Sequence, residues 1–148
     1  MRHLVLITLL VISGALASAQ CINYARNAGK DLLGDYIHDG NYNGAVLEEG
    51  EKAELYKTFF SGQSYRVGIS KVAQLPDIHL RILDKAGNVL FDNADYDYRL
   101  VWDFKVESTQ MLVVELNVLE RDGEHEDLVS GCVAVLFGLE PDKKKKKK

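Results

Sequence analysis

The chain has 148 residues, with 22 acidic against 18 basic ones. Setting aside Arg2 and the six terminal lysines leaves 11 basic residues against those 22, so the body of the protein carries a net charge of −11. Such a body excludes nucleic acid as the main partner, because phosphate binding needs a concentrated basic surface. The length suits one domain with a proper core and leaves little room for a second.

Residues 1–19 are built as an export signal. Arg2 supplies the positive start, Leu4 to Ile12 is an apolar run broken only by Thr8, and Ala17-Ser18-Ala19 is a small-x-small cleavage site. The apolar core is about half the roughly 20 residues that a membrane span needs, so no transmembrane segment is expected. A lipid-anchoring signal ending at Cys21 needs an aliphatic residue three positions before it and a small one immediately before it. Those positions hold Ser18 and Gln20. The expected product is a secreted or periplasmic chain that starts at Gln20.

From Ile22 to Ile37 the apolar residues Ile22, Ala25, Ala28, Leu32, Leu33, Tyr36 and Ile37 recur at three and four, which predicts one amphipathic helix. Gly29 and Gly34 weaken it, so packing must hold it in place. Turn chemistry at Asp39-Gly40-Asn41 and Gly44 ends it, and residues 20–44 read as helix and linker. The body, residues 45–140, reads as strands. Ala53 to Phe60 and Gln63 to Lys71 flank Ser61-Gly62 and predict a hairpin. Ile78 to Leu83 turns through Lys85-Ala86-Gly87-Asn88 into Val89 to Phe91. Tyr98, Leu100, Trp102, Phe104 and Val106 form a period-two row, and Met111 to Leu119 and Cys132 to Leu139 complete the set. The economical architecture is all-β, an antiparallel, jelly-roll-like β-sandwich preceded by one N-terminal helix.

The order Tyr56-Lys57-Thr58-Phe59-Phe60-Ser61-Gly62-Gln63-Ser64-Tyr65-Arg66-Val67, then Asp77 to Asp84 and Gly87-Asn88-Val89-Leu90-Phe91, resembles bacterial pre-peptidase C-terminal domains over about residues 53–139. Those are small jelly-roll-like sandwiches appended to secreted enzymes. The chain departs from them in its leading helix and in His79, where the family often has a second acidic residue. The resemblance implies an accessory binding or stabilising module and carries over no catalytic or metal site.

Chemistry-bearing patterns are sparse. His38, His79 and His125 have no zinc-protease spacing, and neither a nucleophile elbow nor a phosphate loop occurs. His79 alternates with Ile78, Leu80 and Ile82 and reads as a surface or half-buried side chain. Glu124-His125-Glu126-Asp127 reads as a solvated loop tip. The best ligand candidate is the run from Asp92 to Asp97, in which Asp92, Asp95 and Asp97 offer hard oxygens for calcium, the one possible cofactor; the competing reading is an Asx-rich turn. Tyr96, Tyr98, Tyr42 and Tyr36 suit a protein or glycan surface or an ordinary sandwich. Residues 141–148 read as a disordered lysine tail, with weak contact to anionic surfaces as its functional reading.

The two cysteines are more telling, since disulfides persist in an exported chain. Val133, Val135, Phe137 and Leu139 lie on one face of the last strand, and Cys132, Ala134 and Leu136 on the other. Both faces are apolar and both must be covered. One lines the sandwich interior, and the helix that Cys21 precedes is the non-strand element left for the other, so a bridge between Cys21 and Cys132 is expected. The alternative is two unpaired cysteines, Cys132 as a small core residue and Cys21 exposed. The functional expectation is a non-catalytic secreted or periplasmic module that binds a protein or glycan or supports an envelope assembly. The alternatives are a small enzyme with a loop-built site and a calcium-dependent binding domain.

Overall fold

The computed structural model describes residues 20–29 and 31–142. The expected leader and the lysine tail, Lys143 to Lys148, lie outside the described residues. A helix, α1, covers residues 20–29 and 31–33. Nine strands follow it: β1 (Ile37–His38), β2 (Asn43–Glu48), β3 (Lys52–Phe59), β4 (Ser64–Lys71), β5 (Ile78–Leu83), β6 (Val89–Asp92), β7 (Val101–Lys105), β8 (Gln110–Val118) and β9 (Ser130–Leu139). Between β6 and β7 lies a single 3-10 turn, Asn93–Tyr96.

Two antiparallel sheets face each other. One has the order β2-β9-β4-β7, with β1 pairing the far end of β9; the other has the order β3-β8-β5-β6. From β2 onward every connection passes between the sheets except the β5-β6 hairpin, which is the jelly-roll topology. The hairpin forms because the Asp84 carboxylate accepts the Ala86 and Asn88 amides at 2.8 and 2.9 Å while Gly87 takes a φ of 85°. Tyr65, Val67 and Ile69 of β4 and Val133, Val135 and Phe137 of β9 meet Ile78, Leu80 and Ile82 of β5 and the even-numbered residues 112–118 of β8 in one core.

The expected hairpin between Ala53 to Phe60 and Gln63 to Lys71 does not form. β3 pairs β8 in one sheet while β4 pairs β7 and β9 in the other, so Ser61-Gly62 is a corner between sheets. Phe59 and Tyr65 enter the core from opposite sides and meet edge to face, 4.9 Å apart at 86°. The Tyr65 hydroxyl accepts the Phe60 amide at 3.0 Å and pins the corner.

The helix is also shorter than its apolar period. Gly34 takes a φ of 54°, the Tyr36 amide returns to the Leu33 carbonyl, and Ile37 joins β1. α1 lies on the outer face of β9, where Ala25 and Leu33 bury Ala134 and Leu136. A disulfide joins Cys21 to Cys132, with the Cα atoms 5.2 Å apart. This is the pairing that the two apolar faces of β9 require, and it fits an oxidising compartment.

Glycines permit the helix and the turn after it to sit so close. A Cβ on Gly44 of β2 would stand 2.5 Å from the Cys21 carbonyl oxygen, and one on Gly138 of β9 2.7 Å from the Tyr36 Cβ. Among the described residues no helix is long and apolar enough to cross a membrane.

Candidate functional site: a cleft at the open edge of the sandwich

The two lateral edges of the sandwich differ. Where β6 meets β7, aromatic rings close the gap, Phe91 stacking on Trp102 at 4.4 Å and 13°. Where β2 meets β3, two of the inward-facing residues are alanines. Period two aims Asn43, Ala45 and Leu47 of β2 and Ala53 and Leu55 of β3 between the sheets, and Ala45 and Ala53 cannot fill the width that aromatic rings fill at the other edge. The result is a cleft of about 310 Å³ with Val114, Leu116, Val133 and Val135 at its base and Ile22 of α1 and Tyr42 on its wall.

The rim is mixed: Tyr42 is 36 % exposed, and Glu54 of β3 accepts the hydroxyl of the neighbouring Tyr56 at 2.7 Å. Among the described residues β3 is the last strand of its sheet, so one side of its backbone has no strand partner beside the cleft.

One end of the cleft is polar. A recess of about 130 Å³ that shares Asn43 and Leu55 with the cleft is lined by Asp39, Asn41 and Lys57. Lys57 lies on the inward-facing side of β3, donates to the Asp39 carboxylate at 2.5 Å and sits 4.7 Å above the Phe137 ring. Burial pushes the Asp39 carboxyl up, but hydrogen bonds from Lys57 and the Asn41 amide outweigh it and hold the group below its ordinary value. A charge turned inward on an edge strand is a common guard against indiscriminate strand pairing. Here it limits the open edge to the stretch before Lys57.

Tyr42 is set by its neighbours. The Arg26 guanidinium lies 5.4 Å from its ring centroid and the His38 ring 4.4 Å away. His38 accepts the Gly40 amide at Nδ1 and lies 3.2 Å from the Asn41 carbonyl at Nε2. It braces a turn.

The other candidate residues are scattered. His79 pairs with Asp92 at 2.7 Å on the solvent side of the second sheet, half-buried as its alternation implied. His125 lies in an exposed loop against the Asp122 carbonyl.

The turn expected to offer Asp92, Asp95 and Asp97 to calcium gives each a different place. Asp92 caps the 3-10 turn by accepting the Ala94 amide and is engaged by His79, Asp95 is exposed in the first turn, and Asp97 takes a φ of 53° at its end. Burial pushes Asp92 up, and those hydrogen bonds more than compensate, so its carboxyl stays below the ordinary value. Among the described residues no group of three His, Cys, Asp or Glu side chains is placed to hold a metal ion.

The important member of this turn is Asn93, a fully buried residue whose side chain accepts the Leu80 amide at 2.8 Å and donates to the Ile78 and Arg99 carbonyls at 2.9 and 3.2 Å. Neither the cleft nor this anchor is conspicuous in the sequence. The available signals were the small inward positions Ala45 and Ala53 in otherwise bulky alternating strands, and one amide among the carboxylates.

Comparison with known proteins adds little at this site. No family model matches the chain. No curated protein matches it either. Among solved structures it is similar to PliG of Aeromonas hydrophila, a periplasmic lysozyme inhibitor of g-type lysozyme, with 11 % identity and a TM-score of 0.47 over 66 % of this chain and 84 % of that one.

Proposed function

We infer that the protein is a non-catalytic, extracytoplasmic binding module that holds a protein partner at its open edge. The observation that carries this reading is the apolar cleft beside the unpaired edge of β3. An extended segment of a partner adds to such an edge through main-chain hydrogen bonds and gains specificity by placing alternate side chains in pockets. The stretch from Lys52 to Tyr56 is open to such pairing, and the cleft offers one apolar side chain a place between Ala45 and Ala53. The Lys57-Asp39 pair at the end of the cleft sets where the segment stops. The accessory role implied by the resemblance to pre-peptidase C-terminal domains fits the same reading, as does export to a compartment in which the Cys21–Cys132 disulfide persists.

A photo-crosslinking amino acid tests it in exported protein. Placed at Tyr56, on the rim, it is expected to give one discrete adduct; placed at the exposed Val89 on the far side of the second sheet, it should give none. Filling the cleft with Ala53→Leu should abolish the Tyr56 adduct while leaving the thermal transition intact. An adduct that survives the filled cleft, or equal adducts from both positions, would refute the assignment.

A further inference from the structure

The opposite edge of the sandwich carries a second recess, of about 360 Å³, bordered by Tyr96, Phe91, Trp102, Arg66, Arg99 and Asp103. We propose that it binds a saccharide bearing a carboxylate. The proposal goes beyond the protein-binding cleft and does not depend on it.

A row of parallel rings runs from the core to this recess. Phe104 stacks on Trp102 at 4.2 Å, Trp102 on Phe91 at 4.4 Å, and Phe91 on Tyr96 at 5.5 Å, all within 16° of parallel. The row starts in the core and ends at Tyr96, which is 53 % exposed. Its aromatic face is therefore presented in a fixed orientation, and an electron-rich ring face attracts the weakly positive C–H groups on one side of a pyranose.

Polar groups of the right kind stand beside it. Arg66 donates through two nitrogens to both oxygens of Asp103, each at 2.7 Å, and the Tyr36 hydroxyl bonds to the same carboxylate, which locks its plane and leaves one of its roughly four acceptor positions for a ligand hydroxyl. The Arg99 guanidinium lies over the Tyr96 ring, 5.9 Å from its centroid, and its charge also acts on Asp103, without a direct ion pair among the described residues. It is the group available for a ligand carboxylate. The Asp103 charge counts against a phosphate dianion, and the polar lining against an aliphatic chain.

The backbone holds this arrangement against local preference. Asp97 and Tyr98 have φ of 53° and 52°, a left-handed pair that is uncommon for residues other than glycine. The Tyr98 amide bonds to the Asn93 carbonyl at 3.0 Å, the Arg99 amide to the Tyr96 carbonyl at 3.2 Å, and the Asn93 side chain grips the Arg99 carbonyl. The strained loop thus positions Tyr96 and Arg99 together, which is where such strain tends to be kept.

The chain has one tryptophan, so Trp102 emission reports on this recess directly. Titration with trigalacturonate is expected to give a saturable change in that emission. Arg99→Gln should weaken the apparent affinity about tenfold, Tyr96→Ala should abolish it, and Ala53→Leu in the distant cleft should leave it unchanged. Absence of a saturable response to trigalacturonate, N-acetylneuraminic acid and N-acetylmuramic acid at roughly 10 mM, a very weak limit, would overturn the proposal. So would an equal response to neutral galactotriose, or to acetyl-Ala-Ala as a carboxylate without a sugar.

Discussion

Replacing Asn93 by alanine should destabilise the protein far more than a surface turn residue would. The amide is fully buried and makes three hydrogen bonds, two of them to the Leu80 amide and Ile78 carbonyl of β5. Alanine leaves those two backbone groups without partners, and a buried group so orphaned costs about 1–3 kcal/mol. The third bond, to the Arg99 carbonyl, is only part-buried and adds less. The expected loss is about 3–4 kcal/mol, or about 12–15 °C in the melting temperature of a domain this size. Equilibrium urea unfolding followed by Trp102 emission measures it. Asn93→Asp supplies the control, since a carboxylate keeps the acceptor for Leu80 and loses both donors. Burial raises the folded-state value of that new carboxyl above its unfolded value, so the variant's deficit relative to wild type should shrink as pH falls from 7 toward 4. A loss below about 1 kcal/mol for Asn93→Ala, with no pH dependence for Asn93→Asp, would mean that the turn is not anchored through this side chain.

Removing the disulfide as Cys21→Ala with Cys132→Ala opens a loop of sequence separation 111, for which chain entropy corresponds to about 4–5 kcal/mol; urea titration of the double variant, with thiol titration of unfolded wild type giving no free thiol, checks both size and pairing. Gly44→Ala forces a Cβ against the Cys21 carbonyl and should cost about 1–3 kcal/mol by lifting α1, seen as a lower melting temperature. Asp103 is held below its ordinary value by hydrogen bonds from Arg66, and Asp39 and Asp92 are held low by their own partners despite burial. Folded values below unfolded ones mean stability that is present at neutral pH and lost as pH falls below about 4, so an acid titration of Trp102 emission should show a decline that Asp103→Asn makes shallower. Calcium at millimolar concentration should leave the melting temperature unchanged, because among the described residues no group of three His, Cys, Asp or Glu side chains is placed to hold a metal ion; a rise abolished by Asp95→Ala would show that the turn binds the ion.

The sandwich and the disulfide were legible in the sequence because both follow from local periodicity. In β9, Val133, Val135 and Phe137 alternate with Cys132, Ala134 and Leu136, and two apolar faces on one strand demand two covers, a facing sheet and a helix. That requirement holds whatever the path of the chain. The partner of each strand was another matter. Ser61-Gly62 has the same turn chemistry whether the chain folds back beside itself or crosses to the other sheet, and Phe59 and Tyr65 are buried either way. Only pairing of β3 with β8, more than 50 residues away in sequence, decides between them. The cleft and the ring row arise in the same manner, from which small or aromatic residues meet across a sandwich edge. Asn93 lies among carboxylates that suggest an exposed turn, and it is buried because β5 passes beneath it with an amide and a carbonyl to satisfy. Periodicity encodes which face of a strand is buried; contacts between strands distant in sequence decide what that face meets, and the candidate sites are made of those meetings.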